Sequence, residues 1–368
     1  MHRFRTGAAA ILWLGTAAAP LPVATQERAT ENVVLIVTDG FRWQELFGGA
    51  DTTLINEEYG HVEDTAALRR DFVLGSPAAN RRALLPFLWD SIARNGQLFG
   101  NRDLGSSAQV TNGLKFSYPG YNEMLTGSAD PRIDRNSYGP NPNVTVFEWL
   151  GHQPGFEGKV AAFGSWDAFA EIFNRERAGI HVHAAWEAPF PDAATPTSRM
   201  LNQLYATTTR IWDGMTFDAY LQAVVVEYLS RNQPRVLYLG FGETDEWAHE
   251  GRYDLYLRAA HQVDQFIADL WRTLQGMPGY AGKTTFIITT DHGRGSGLEK
   301  WRDHGREVDG AEYVWIAVLG PDTGPRGERR DTALVTQAQV AATVAALLGF
   351  DWPAASPGGA GAMADVIR

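Results

Sequence analysis

Three short apolar runs mark this chain, and each leads into an aspartate. Residues 33–38 precede Asp39, residues 235–241 precede Gly242-Glu243-Thr244-Asp245, and residues 285–290 precede Asp291-His292. Short β-branched runs bounded by Gly and turn residues predict buried strands. Residues 96–100, 159–164 and 314–320 read as further strands. Helical spacing predicts a helix over 82–95, with Leu84, Leu85, Phe87, Leu88 and Ile92 on one side, and others over 217–230, 253–275 and 335–348. Residues 41–47 open a loop or short helix, and 144–150 begin another helix. Strands alternating with helices predict an α/β fold, a doubly wound and mostly parallel central sheet with helices on both faces. Residues 105–127 are rich in Ser, Asn and Gly, and 137–143 in turn formers. Residues 180–215, with His181, His183, Trp186 and several prolines, read as a surface cap or loop excursion near the cleft. The Pro/Gly/Ala tail at 353–361 is short, and no internal repeat is present.

The N-terminus changes the picture. Arg3 and Arg5 precede an uncharged stretch over 7–24 that ends Pro22-Val23-Ala24. This pattern predicts a secretory signal over residues 1–24, cleaved near Ala24, and a periplasmic or secreted protein. A membrane anchor is the alternative, but Gly15, Pro20 and Pro22 interrupt a stretch near the lower limit for a span, so no stable span is expected after cleavage. The chain has no Cys, which rules out lipoprotein attachment and disulfides. Removing residues 1–24 takes away two Arg and no acid, so the formal charge goes from −11 to −13. That balance argues against generic nucleic-acid binding. Twelve Trp and 38 Gly in 368 residues fit a globular chain with many turns.

In an open α/β sheet, ligands bind beyond the carboxyl ends of the strands. Asp39, Asp245 and Asp291 fall at three such ends, with His249, His292 and His304 close in sequence. Carboxylate oxygen and imidazole nitrogen ligate hard and borderline cations, and these six groups suffice for two metal ions. Asp245 and His249, four apart, share one face of a helical turn. Asp291 and His292 are adjacent where a strand gives way to a Gly-rich turn, which lets neighbours converge. Each pair alone is common by chance; their coincidence behind independently predicted strands carries the signal.

The order Asp39, a hydroxyl nucleophile, Asp245-x-x-x-His249, Asp291-His292 and a final His304 resembles the alkaline phosphatase superfamily, most closely its type I phosphodiesterase and nucleotide pyrophosphatase branch. The resemblance covers most of residues 31–350 and implies a single alkaline-phosphatase-like catalytic domain over 25–368. It implies two divalent ions, Zn2+ by preference. One is held by Asp245, His249 and His304, the other by Asp39, Asp291 and His292, with the nucleophile oxygen as a further ligand. The family nucleophile lies in a segment like Thr-Phe-Pro-Asn-His ahead of a Thr-Gly. Here Ser117-Tyr118-Pro119-Gly120-Tyr121 precedes Thr126-Gly127, which makes Ser117 the candidate. Thr111 and Ser106 are rival hydroxyls, and Ser117 could instead be only a turn residue. Asn136-Ser137 resembles the family Asn-Ser whose amide meets the phosphoryl group; Asn141 and Asn143 are alternatives, and Asn122 matches a non-catalytic position.

Two departures shape the expected activity. Where one monoesterase branch has Ser-x-Lys-Asp-Arg, residues 163–169 place Trp166 and Ala168 instead of the cations. A dianionic phosphate would lose its charge-matched clamp. Sulfatases carry Cys/Ser-x-Pro-x-Arg, and Tyr121 stands where the Arg would be. The resemblance therefore implies an exported two-metal hydrolase of small phosphate esters, diesters first, acting through a phospho-serine. A phosphomonoesterase, or a sulfatase or phosphonate hydrolase of the same fold, is the alternative; a non-enzymatic metal- or carbohydrate-binding protein is the alternative of another class. Of the remaining groups, His261 lies in a helix and reads as structural, and His61 and His152 lack partners in sequence. His181 and His183 share a strand face, as a surface pair or a further metal or substrate contact. Arg294 and Arg302 read as substrate contacts or solvated ion pairs, and Asp303 and Glu243 as partners that orient ligating histidines.

Overall fold

The computed structural model describes residues 28–367; the signal segment expected over 1–24 lies outside them. Among the described residues, eleven strands form two sheets. They are β1 (Asn32–Thr38), β2 (Gln97–Phe99), β3 (Ala108–Gln109), β4 (Val160–Gly164), β5 (His181–Ala184), β6 (Val236–Phe241), β7 (Thr284–Thr289), β8 (Tyr313–Val314), β9 (Ile316–Leu319), β10 (Gly327–Glu328) and β11 (Val335–Thr336). The large sheet has eight strands in the order β10-β2-β9-β7-β1-β6-β4-β5, and the small one runs β11-β3-β8. In the large sheet only β9 runs against its neighbours. The expected mostly parallel, doubly wound architecture is what the chain adopts.

The apolar runs are continuous because both faces of the sheet are covered. Val34, Ile36, Leu237, Leu239 and Ile288 enter one core, whereas Val33, Leu35, Val37, Tyr238 and Ile287 enter the other. The Tyr253–Gln275 helix seals the first through Leu257, Val263 and Ile267. The Ser117–Thr126 and Gln339–Leu347 helices seal the second through Tyr121, Leu125, Val340 and Val344. Burying each large aliphatic side chain contributes about 1.5–3 kcal/mol, so slipping a central strand by one residue would forfeit many such terms at once.

Register decides where the chemistry falls. Val37 pairs with Thr289 and Thr38 with Phe241, so β7, β1 and β6 end level with one another. Asp39, Asp291 and the turn leading to Asp245 therefore emerge side by side at one edge. Gly164 of β4 pairs with Gly240, which brings residues 165–169 to the same edge.

Several expectations need correction. The helix expected over 82–95 is broken: one helix ends at Leu84 and a π-helical turn begins at Leu88. Pro86 forces Leu85 out of the helical region, to φ −129° and ψ 69°. The strand expected over 314–320 is two strands in different sheets, split at the buried Trp315, whose Nε1 donates to the Phe41 carbonyl (2.9 Å). The excursion expected from residue 180 begins instead as β5, an edge strand of the large sheet; the chain leaves the sheet only after Ala184 and carries the Pro196–Thr207 helix. The Ser/Asn/Gly-rich segment ends in a fully formed helix, Ser117–Thr126. No described helix is long and apolar enough to cross a membrane.

Candidate active site

Asp39, Asp291 and His292 form the inner half of the site. Asp291 and His292 are completely buried and Asp39 almost so. His292 Nε2 lies 3.3 Å from Asp39 Oδ1, 3.6 Å from Asp291 Oδ2 and 3.8 Å from Asp245 Oδ1. The His292 Nδ1–H donates to the Gly293 carbonyl (2.9 Å), a tautomer that turns Nε2 toward the carboxylates. Asp291 Oδ1 accepts the Gly40 N–H (3.1 Å), and Asp39 Oδ2 accepts the Tyr121 hydroxyl (2.8 Å). Their other oxygens, Asp39 Oδ1 and Asp291 Oδ2, are buried without a hydrogen bond among the described residues.

Asp245, His249 and His304 form the outer half. Asp245 and His249 belong to the Glu243–His249 helix that follows β6, and their four-residue spacing brings His249 Nε2 to 3.1 Å from Asp245 Oδ2. His304 comes from the loop after the Gly297–Lys300 helix; its Nε2 is 3.0 Å from His249 Nε2 and 3.8 Å from Asp245 Oδ1. The His304 and His292 rings stack with centroids 4.0 Å apart, joining the two halves.

The electrostatics ask for cations. Burial, reinforced by Asp39, pushes the Asp291 carboxyl up to about 8. Burial works to neutralise His292, but Asp291 and Asp39 outweigh it and hold the imidazole at about 9. The outer histidines shift the other way: burial and the nearby His292 lower both His249 and His304. Three carboxylates and three imidazoles within a few ångströms, with two buried carboxylate oxygens unpartnered, are a donor set that divalent cations satisfy. Among the described residues, two groups have ligating atoms mutually close enough for one ion: Asp39, Asp291 and His292, and Asp245, His292 and His304. The first is the expected set. In the second His292 stands where His249 was expected, although His249 Nε2 also reaches Asp245 and His304.

Ser117 opens its helix after the extended residue Phe116. Pro119 fits that first turn because its missing N–H would have no intrahelical partner there. Ser117 is buried, and its Oγ lies 3.4 Å from His292 Nε2. The rival hydroxyls are engaged elsewhere: Thr111 Oγ1 donates to Glu123 (2.8 Å), and Ser106 Oγ accepts the Gly100 N–H (3.3 Å). Asn136 accepts the Tyr118 N–H on Oδ1 (3.0 Å), beside Ser117. Asn141 and Asn143 instead donate to Asn122 Oδ1, at 3.3 and 3.0 Å, within a structural network.

Ser117, Asn136, Asp39, Asp245 and His249 border a cavity of about 210 Å3 whose far wall is Trp166, Phe169 and Met215, with Glu246 on its rim. Ala168 is not part of that lining. Three residues in or under the site escaped sequence reasoning. Tyr121 holds Asp39; burial raises its hydroxyl well above the ordinary range, so it stays a donor. Glu246 adds a carboxylate to the cavity, and the Asp245–His249 helix could have revealed it. Met215 arrives from the excursion by a strand-like contact with Trp166 and has no local signal.

Other expectations resolve differently. Arg294 is neither a substrate contact nor a solvated pair. It is fully buried, grips the Asp245 carboxylate, and donates to the carbonyls of Gly40 (3.1 Å) and Arg302. Glu243 accepts from the Asp218 N–H (2.8 Å) and Trp247 Nε1 (3.2 Å), and Asp303 from Lys300 Nζ (2.8 Å); these contacts involve no histidine. His181 and His183 pack on Tyr228 and Tyr205 rather than at the site. His261 Nδ1 donates to the Leu84 carbonyl (2.7 Å), a packing role.

Comparison with known proteins identifies the fold. A variant of the alkaline phosphatase PafA superposes with a TM-score of 0.58 at 13% identity, covering 94% of this chain and 100% of that one. Murine ectonucleotide pyrophosphatase/phosphodiesterase 5 gives 0.54 at 10% identity (92% and 100%). The phosphonate monoester hydrolase of Silicibacter pomeroyi gives 0.54 at 15% identity (91% and 76%). The fold is that of the alkaline phosphatase superfamily. The metalloenzyme superfamily profile matches residues 197–352, which hold Asp245, His249, Asp291, His292 and His304. A 2,3-bisphosphoglycerate-independent phosphoglycerate mutase of Haloarcula marismortui is 28% identical over 138 residues, 38% of this chain and 25% of that relative. The chain thus matches about a quarter of the curated relative's length.

Proposed function

We propose that this protein is an exported hydrolase of small phosphate esters, diesters first, that works with two divalent metal ions, zinc by preference, and Ser117 as nucleophile. The observation that carries the reading is Ser117 Oγ at the junction of the two ligand groups, facing a cavity large enough for a small ester. Asp39, Asp291 and His292 would hold one ion; Asp245, His304 and His249 would hold the other. Bound there, the ions supply Lewis acidity that favours the serine alkoxide and stabilises charge on the phosphoryl group.

The protein's own groups do the rest. The helix start fixes Ser117 Oγ against the phosphorus, and its O–P bond forms as the ester O–P bond breaks. Hydrolysis of the phospho-serine by water then returns the enzyme. With Asn136 Oδ1 engaged by the Tyr118 N–H, the amide Nδ2 is the donor left for a non-bridging oxygen. Trp166, Phe169 and Met215 give an apolar wall for a substituent or leaving group. Glu246 beside that wall repels a second negative charge, so a mono-anionic diester suits the cavity better than a dianionic monoester.

The test is hydrolysis of bis-p-nitrophenyl phosphate, p-nitrophenyl phosphate and p-nitrophenyl sulfate by zinc-loaded protein, beside Ser117→Ala. The expected outcome is diester turnover, lost by several orders of magnitude in Ser117→Ala. A monoester preference would overturn the role given to Trp166 and Glu246. Turnover of the sulfate alone would assign a sulfatase, and inactivity toward all three would favour a binding protein. Export is tested separately, by N-terminal sequencing of the protein recovered outside the cytoplasm, with a start near Thr25 expected.

A further inference from the structure

The loop that delivers Ser117 is held by a carboxylate from the nucleophile's own helix. Glu123, completely buried, receives four donors from two consecutive residues. The Thr111 N–H reaches Oε1 and Oε2 (both 2.9 Å), and the Thr111 hydroxyl reaches Oε1 (2.8 Å). The Asn112 N–H and its Nδ2 both reach Oε2 (2.9 Å each). Asn112 passes the constraint along: its Oδ1 accepts the N–H groups of Leu114 and Lys115 (2.9 Å each). Lys115, two residues before the nucleophile, sits at φ +57°, a left-handed conformation that costs a non-glycine residue about 1–3 kcal/mol. Its side chain is tied down as well, to the Val308 carbonyl and the Glu312 carboxylate (3.2 Å each).

We infer that Glu123 is a positioning residue for Ser117: acting through Asn112 and the left-handed Lys115, it sets where the nucleophile's oxygen stands. This inference rests on the reading of Ser117 as nucleophile. The chemistry of the clasp requires a carboxylate. All four groups around it donate, and an ionised carboxylate only accepts. A glutamine would turn an NH2 toward donors on one side, leaving buried polar groups unpaired. An aspartate is one methylene too short to meet both residues. A loop so restrained loses little freedom when substrate binds, and the oxygen is held at the distance an in-line attack needs.

The test is pre-steady-state hydrolysis of bis-p-nitrophenyl phosphate by zinc-loaded wild type, Glu123→Gln, Asn112→Ala and Ser117→Ala, with metal content measured on each. A misplaced nucleophile can cost about 100-fold, so Glu123→Gln should slow the burst by roughly 10–100-fold, with KM within about twofold. Its burst amplitude and metal content should stay as in wild type. Asn112→Ala, in a partly exposed loop, should slow the burst in the same way by a smaller factor, and it carries the test if Glu123→Gln does not fold. A purely structural role would lower burst amplitude and leave its rate intact, and that result overturns the inference. So does a wild-type burst rate in a variant that folds. Full turnover by Ser117→Ala would overturn the nucleophile reading and this inference with it. Loss in Ser117→Ala combined with normal bursts in the loop variants would overturn only the positioning role.

Discussion

The two halves of the site are built from similar donors yet held in opposite ways. The inner half stands on the ends of β1 and β7, with Asp291 and His292 at 0% side-chain exposure. The outer half stands on a short helix and a loop, and the His249 side chain is 47% exposed. Their protonation follows suit: buried carboxylates hold His292 charged, whereas burial and neighbouring imidazoles keep His249 and His304 neutral. On the proposed reading, an inner carboxylate would thus be a structural element as well as a ligand, while an outer histidine would be a ligand alone.

The largest expected effect separates the halves by substitution. Asp291→Ala removes the acceptor of the Gly40 N–H and the partner of a buried His292. Leaving the buried Gly40 N–H without its acceptor costs about 1–3 kcal/mol, so the metal-free protein should melt lower, and it should bind no ion at the inner site. His249→Ala should change stability by only about 0.5 kcal/mol, as exposed substitutions do, and should lose one ion of two. Thermal melting with metal analysis of both variants checks this; equal destabilisation would erase the distinction.

The pH response sharpens the same contrast. The folded-state value of His292 is raised to about 9, above the ordinary histidine value. Its contribution is therefore complete below about 6.5 and lost as pH rises through about 9. Asp291 acts in the same direction: with its folded-state carboxyl raised to about 8, the fold loses stability as pH climbs from about 4, where the unfolded carboxyl ionises, toward that value. The lowered outer histidines instead favour the fold above about 6.5 and withdraw that contribution as pH falls. Chelator-treated protein should therefore lose melting temperature from pH 6.5 toward 9, while zinc-loaded protein should hold it, because ligation needs the deprotonated imidazole. A flat profile without metal would contradict the assigned charges.

Smaller effects are expected at the wall of the cavity that Asp39, Asp245 and His249 also border. Glu246→Gln removes like-charge repulsion and should raise monoester relative to diester turnover by up to about tenfold, since each 1.4 kcal/mol is a factor of ten. Trp166→Ala should raise KM for aryl diesters more than it lowers kcat. Steady-state kinetics on the two phosphate substrates reads both, and an unchanged ratio in Glu246→Gln would remove that carboxylate from specificity.

Much of this was legible in the chain. Apolar runs ending in Asp39, Asp245 and Asp291 show strands because a buried parallel strand needs apolar residues on both faces, a pattern read locally. Asp245-x-x-x-His249 shows a shared face because helix geometry is local too. What tertiary structure decided was everything that depends on which strands lie side by side. Register brought β1, β6 and β7 level and turned three separated aspartates into one cluster. Folding also buried Arg294 against Asp245, set Tyr121 on Asp39, carried Met215 across from the excursion and closed Glu123 over the loop before Ser117. A sequence records which donors exist and their local periodicity. Burial and distance between remote residues, which set their charge and their partners, come into being only when the sheet closes and water leaves.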